Sequence, residues 1–181
     1  MILCLKNDLQ VNSRTTFMRR LNELYNQEFN RIKEILCSFT SKVCITCDVW
    51  SSKNHLAFLG ITAHWIDKTY STKECLLSFK LLKGSHSGEN LAAGLIEVLD
   101  SFEIADRLLG ITADNASNNR TMMVALEKHY STKYPKSGFS AKWNQVECMA
   151  HVANLAAQDL LRDFKQSFED SDEYMENSNS D

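Results

Sequence analysis

The stretch Arg107-Leu-Leu-Gly-Ile-Thr-Ala-Asp114-Asn-Ala-Ser-Asn-Asn119 decides how the chain reads. A short apolar run, Leu108 to Ala113, has the character of a buried strand that delivers Asp114 at its carboxyl end. Polar, cap-forming residues follow at once, and a helical pattern takes over to His129. A strand that hands an acid to the start of a helix is a common way to build a site in an α/β protein. A second acid sits in the same setting upstream, in Val43-Cys-Ile-Thr-Cys-Asp48-Val-Trp50-Ser-Ser. The functional question is whether Asp48 and Asp114 meet.

Working outward, the spacing predicts strands over 42–49, 55–66 and 72–82, joined by short polar connections as in an antiparallel meander. Lys83-Gly-Ser-His86-Ser-Gly88 interrupts the pattern, with His86 closing a loop, and Ser87 or Gly88 starts a helix to Phe102. A strand over 107–113, a helix over 115–129, a short strand over 145–149 and a helix over 151–168 complete the order. Ahead of them, Phe17, Leu21, Leu24, Tyr25, Ile32, Leu36 and Phe39 recur at helical spacing, so 15–39 reads as a helix capped by Ser13 and packing one face on the domain. The organisation expected is an amino-terminal segment and helix over 1–40, a domain over 41–168, and an acidic, serine- and asparagine-rich disordered tail over 169–181.

With 181 residues, 44% hydrophobic and 24% charged, the chain can bury one sizeable core. A net charge of −3 carries no global basic field, so contact with a nucleic acid would rest on a local patch. Nothing approaches the roughly eighteen apolar residues of a membrane span, and Met1-Ile-Leu-Cys-Leu-Lys6 is too short for a secretory signal. Cys44 and Cys47 have Cys-x-x-Cys spacing but lie in a strand, where residues three apart face opposite sides. They read as free thiols of a reducing compartment rather than as a zinc pair.

Three strands, then helix, strand, helix, strand and helix, is the order of a ribonuclease H-like fold: a mixed five-stranded sheet flanked by helices, here with an added amino-terminal helix. In that fold the first and fourth strands run parallel side by side, so Asp48 and Asp114 become neighbours across 66 positions. Two carboxylates that close repel unless a cation lies between them. Mg²⁺ suits the need, because it prefers oxygen and often takes only one or two protein carboxylates, filling its other positions with water or phosphate. Two such ions can activate a water or hydroxyl and stabilise the leaving oxygen in phosphodiester cleavage.

Four motifs in order, Cys47-Asp-Val-Trp-Ser-Ser52, His86-Ser-Gly-Glu-Asn90, Ile111-Thr-Ala-Asp-Asn-Ala-Ser-Asn-Asn119 and Cys148-Met-Ala-His-Val-Ala-Asn-Leu155, closely resemble the catalytic domain of hAT-family DNA transposases and of the zinc finger BED and ricesleeper-like proteins derived from them. The resemblance spans residues 13–165. It implies a nuclear protein with DNA as partner, Mg²⁺ or Mn²⁺ as cofactor, no membrane partner, and Asp48 and Asp114 as catalytic, metal-holding acids. It sets Cys148 and His151 near them, in a structural role or against a DNA strand. Trp50 packs beside the site or stacks on a base, and Asn115 and Asn118 shape the helix start or bond a phosphate. The family's third acid, a glutamate beyond a long insertion, has no counterpart, and neither Asp159 nor Asp163 matches its pattern. The amino-terminal zinc finger and the dimerisation segment have none either. The expectation is a transposase-like domain with little or no activity of its own. The rival reading is a domesticated, non-catalytic module that binds DNA or protein partners.

Overall fold

The computed structural model describes residues 13–54, 56–82 and 87–178, with side chains to residue 165. His86 and its loop lie outside the described residues. Three β-rich segments, β1 (Val43–Ser51), β2 (Ala57–Ile66) and β3 (Thr72–Leu81), form the meander. The β2–β3 turn is tied by Asp67, whose Oδ1 accepts the Thr69 and Ser71 amides at 2.8 and 3.0 Å. After α2 (Gly88–Ser101) and a single 3₁₀ turn, β4 (Leu108–Ala113) joins β1 in parallel. After α3 (Ser117–Lys133), the short β5 (Gln145–Glu147) joins β4 in parallel. The sheet order is β3-β2-β1-β4-β5, mixed and five-stranded, as the element order predicts.

Strand alternation sorts the sheet into two faces. Val43, Ile45 and Cys47 of β1, Leu59 and Ile61 of β2, and Ile111 and Ala113 of β4 are buried. They pack with Leu91, Leu95 and Leu99 of α2 and Met122, Met123 and Leu126 of α3. Tyr130 closes the far end, its hydroxyl donating to the Ala105 carbonyl at 2.7 Å. The two helices touch closely because residue 88 is glycine: a Cβ there would lie 2.4 Å from the Met122 backbone nitrogen. On the other face, Thr46, Asp48, Trp50, Leu76 and Phe79 are exposed.

Two expectations need correction. The amino-terminal helix, α1 (Arg14–Cys37), does start at a Ser13 cap, but only its second half packs on the domain. Phe29, Ile32 and Leu36 meet the core, while Phe17, Leu21, Leu24 and Tyr25 are exposed. Its 24 residues span about 36 Å at ~1.5 Å per residue, and its ring contact with Phe102, through Phe29, also falls in the second half. Its end is fastened by Arg107, whose guanidinium donates to the Leu36 carbonyl at 2.8 Å and to the Phe39 carbonyl. The last helix, α4 (Met149–Ser178), continues ten residues past 168, so most of the segment read as a disordered tail is helical. No glycine or proline between Met149 and Ser178 is there to stop it. From Val152 to Lys165 every residue of α4 is exposed.

Candidate functional site

The register of β1 against β4 brings the two acids together. Cys44 pairs with Gly110, Ile45 with Ile111 and Thr46 with Thr112, each 66 positions apart. That is the separation of Asp48 from Asp114, so the acids occupy the next outward-facing row beyond Thr46 and Thr112. β5 extends the row. Ala113 pairs with Glu147, and the Cys148 amide donates to the Ala113 carbonyl at 3.0 Å, which sets Cys148 beside Asp114. The Val152 amide donates to the Cys148 carbonyl at 3.1 Å as α4 begins, placing half-buried His151 in its first turn. Asp48, Asp114, Cys148 and His151 therefore gather at the carboxyl ends of three parallel strands, where α/β sheets place their ligands.

The two carboxylates differ in their surroundings. Asp48 is exposed, whereas Asp114 is half-buried. Asp114 Oδ1 accepts the Ala116 amide at 3.0 Å, an Asx turn that starts α3, and Asn119 Nδ2 at 2.5 Å. Asn119 Nδ2 also donates to the Asp114 carbonyl at 3.3 Å. Next to Asp48 on β1, Cys47 turns into the core, and its thiol pKa is pushed from 9.0 to about 12. Burial is the main cause, and the charges of Asp48 and Asp114 add to it. One thiol thus senses both carboxylates.

Trp50, two residues beyond Asp48 on the same face, is 41% exposed. Its ring lies over Gly60, the cross-strand partner of Asp48, where a Cβ would stand 3.1 Å from the indole. It meets Phe79 at 5.0 Å and Phe58 at 6.4 Å between ring centroids, forming an aromatic ledge beside the acids. Asn115 is exposed, and its Oδ1 accepts Arg120 Nη2 at 2.8 Å, holding a guanidinium near the start of α3. The Asn118 carbonyl accepts the Thr121 hydroxyl at 2.9 Å. Asp159 and Asp163 are exposed on α4, and Asp159 pairs with Arg162 at 2.7 Å.

Among the described residues, no group of three or more His, Cys, Asp or Glu side chains is placed to hold a metal ion. Two carboxylates in one row, one exposed and one braced, still fit the open oxygen site that Mg²⁺ or Mn²⁺ accepts, with water and phosphate supplying the rest. Cys44 is half-buried and Cys47 buried, and both are free, which leaves no zinc pair.

Three residues that matter to this geometry do not stand out in the sequence: Asn119, Arg120 and Gly88. Asn119 carried a usable signal. It falls in helical phase with Met122, Met123, Leu126 and Tyr130, so a polar side chain there points inward and must find a partner.

Comparison with known proteins agrees with the fold. The model of a family described as the ZBED1 RNase-like domain matches residues 46–138, about half of the chain. A putative transcriptional regulator, tpeD, from Talaromyces stipitatus is 33% identical over 81% of this chain and 17% of its own length. A putative AC transposase from Zea mays is 24% identical over 87% of this chain and 20% of its own. The zinc finger BED domain-containing protein RICESLEEPER 3 from Oryza sativa subsp. japonica is 22% identical over 81% and 20%, respectively. The chain thus spans about a fifth of the length of these relatives.

Proposed function

Because this chain belongs to the ZBED1 RNase-like domain family, a ribonuclease H-like domain of hAT-transposase lineage, we propose that Asp48 and Asp114 form a two-carboxylate site for Mg²⁺ or Mn²⁺ directed at DNA phosphate. The observation that carries this is the shared offset of 66 between the strand register and the two acids. A bound divalent ion would supply charge neutralisation of phosphate oxygens and polarisation of a water. The chain's own residues do the positioning. β1 and β4 hold the carboxylates on one row, and the start of α3 braces Asp114 through Ala116 and Asn119. Arg120, held by Asn115, offers a cation to a neighbouring phosphate. The Trp50 ledge gives an unstacked base a flat apolar surface. Cys148 and His151 border the same strand ends.

The activity proposed for these residues is cation-dependent DNA binding, in a nuclear protein. The test is fluorescence anisotropy of a short duplex with a single-stranded end, at low salt, in Ca²⁺ and then in EDTA, beside a supercoiled-plasmid nicking assay in Mn²⁺. Tighter binding in Ca²⁺, lost in Asp48→Asn/Asp114→Asn, is the expected outcome. Equal binding with and without the ion would refute it. A second reading, a protein-binding module, draws on the apolar residues that α4 exposes, Leu155, Leu160 and Leu161. It predicts partner capture that the double variant leaves unchanged.

A further inference from the structure

Asn119 is 6% exposed and is the buried polar side chain of the described core. A buried amide is costly unless its hydrogens are bonded. Here both hydrogens have acceptors, and both acceptors belong to one residue. Nδ2 reaches Asp114 Oδ1 at 2.5 Å and the Asp114 carbonyl oxygen at 3.3 Å. Carboxylate and carbonyl oxygens only accept, so the nitrogen is the atom that faces them. Bridging a side-chain oxygen and the main-chain oxygen of the same residue fixes the carboxylate relative to its own backbone. The Ala116 amide adds a second donor to Oδ1 at 3.0 Å. Oδ1 is thereby saturated, whereas Oδ2 has no donor among the described residues.

We propose that Asn119 is a positioning residue that clamps the Asp114 carboxylate, so that Asp114 meets a divalent cation through Oδ2 alone. The proposal rests on the cation-site reading of Asp48 and Asp114. Without the clamp, repulsion from Asp48 on the neighbouring strand turns Asp114 away, and an arriving ion must reorder it. Only a buried primary amide does this job. Leucine has the size and no donor, and serine has one hydrogen and a shorter reach. Helix phase alone explains why position 119 is buried, but not why it carries an amide whose two hydrogens converge on one acid.

The experiment compares the full chain with Asn119→Leu, Asn119→Ser and Asp114→Asn. Folding is checked first by circular dichroism, and Mn²⁺ affinity is then read from the free-ion paramagnetic resonance signal. Serine is the variant that keeps the test informative should leucine fail to fold. Ordering one side chain again on binding corresponds to a Kd about tenfold weaker for a folded Asn119 variant. A separate readout needs no metal. In ¹⁵N-labelled protein the Asn119 side-chain amide pair is shifted and protected from exchange, and in Asp114→Ala, which keeps the main-chain carbonyl, the resonance bonded to the carboxylate moves toward the free-amide position. Unchanged Mn²⁺ affinity in a folded Asn119 variant, where Asp114→Asn abolishes binding, overturns the clamp. Wild-type binding that is absent, or indifferent to Asp114→Asn, overturns the cation reading and takes the clamp's role with it. The amide signal distinguishes that failure from a clamp that does not form.

Discussion

Gly88→Ala adds one methyl group and should be among the most damaging small substitutions in the domain. Its Cβ would fall 2.1 Å from Thr121 Oγ1, 2.4 Å from the Met122 nitrogen and 2.5 Å from the Thr121 carbonyl carbon. The hydroxyl can rotate away, but the two backbone atoms cannot. Ordinary contact begins near 3.4 Å, so α2 and α3 must separate by about 1 Å where they touch. That gap opens between Leu91 and Leu95 on one side and Met122, Met123 and Leu126 on the other, all buried. Overpacking of this kind costs about 1–3 kcal/mol, and a backbone clash belongs at the upper end. At ~2–4 °C per kcal/mol for a chain of this size, a cost near 3 kcal/mol lowers Tm by about 6–12 °C. Gly94→Ala in the same helix is the control. Its Cβ would meet Leu59 Cδ2 at 3.3 Å and the end of Lys80, both able to move. Removing a mid-helix glycine also favours the helix by ~1 kcal/mol, so this variant should melt within a few degrees of the parent. Differential scanning calorimetry reads both. A Gly88→Ala protein that melts within about 2 °C of the parent would refute the reasoning.

Other perturbations have equally definite outcomes. Tyr130→Phe strips the donor from the buried Ala105 carbonyl, now bonded at 2.7 Å, and should lower the urea midpoint by an amount worth about 1–3 kcal/mol with the slope unchanged. An unchanged midpoint would show that this carbonyl finds another donor. Native Cys47 keeps its proton up to about 12, whereas the unfolded thiol releases it near 9.0, so the native state holds more protons in that window. Stability should therefore fall as pH rises from 9.0 toward 12, and Cys47→Ala should flatten the fall in urea titrations at successive pH values. Burial raises the Tyr130 phenol as well, which adds a decline of the same sign above its ordinary 10.0, so the Cys47→Ala curve should keep a residual slope there. Gly60→Ala should shift the Trp50 indole outward by a few tenths of an ångström, since the new Cβ would lie 3.1 Å from the ring, and acrylamide should then quench tryptophan emission somewhat more strongly. Unaltered quenching in that variant would mean the ring does not rest on Gly60.

Much of this was legible in the sequence, for identifiable reasons. β-rich runs and their short polar turns gave the meander, and the parallel β1–β4 pairing followed from element order, so Asp48 and Asp114 could be matched without coordinates. The role of Gly88 was not legible, because a glycine between two helices reveals nothing of how closely they approach. Nor did composition tell which asparagine of Asn115, Asn118 and Asn119 would turn inward. Capping preference drew attention to the first two, whereas helix phase decided for the third. The length of α1 was visible, but the extent of core available to cover it depends on where α2 and the sheet end. Continuation of α4 to Ser178 was hidden behind an acidic composition that resembles a tail yet contains no helix breaker.

The central claim is that Asp48 and Asp114 make one cation site. Its most direct test is a Mn²⁺ titration of the folded chain beside folded Asp48→Asn/Asp114→Asn, followed by paramagnetic resonance. The account predicts saturable binding by the parent that the double variant loses. Identical titrations of the two proteins would contradict it.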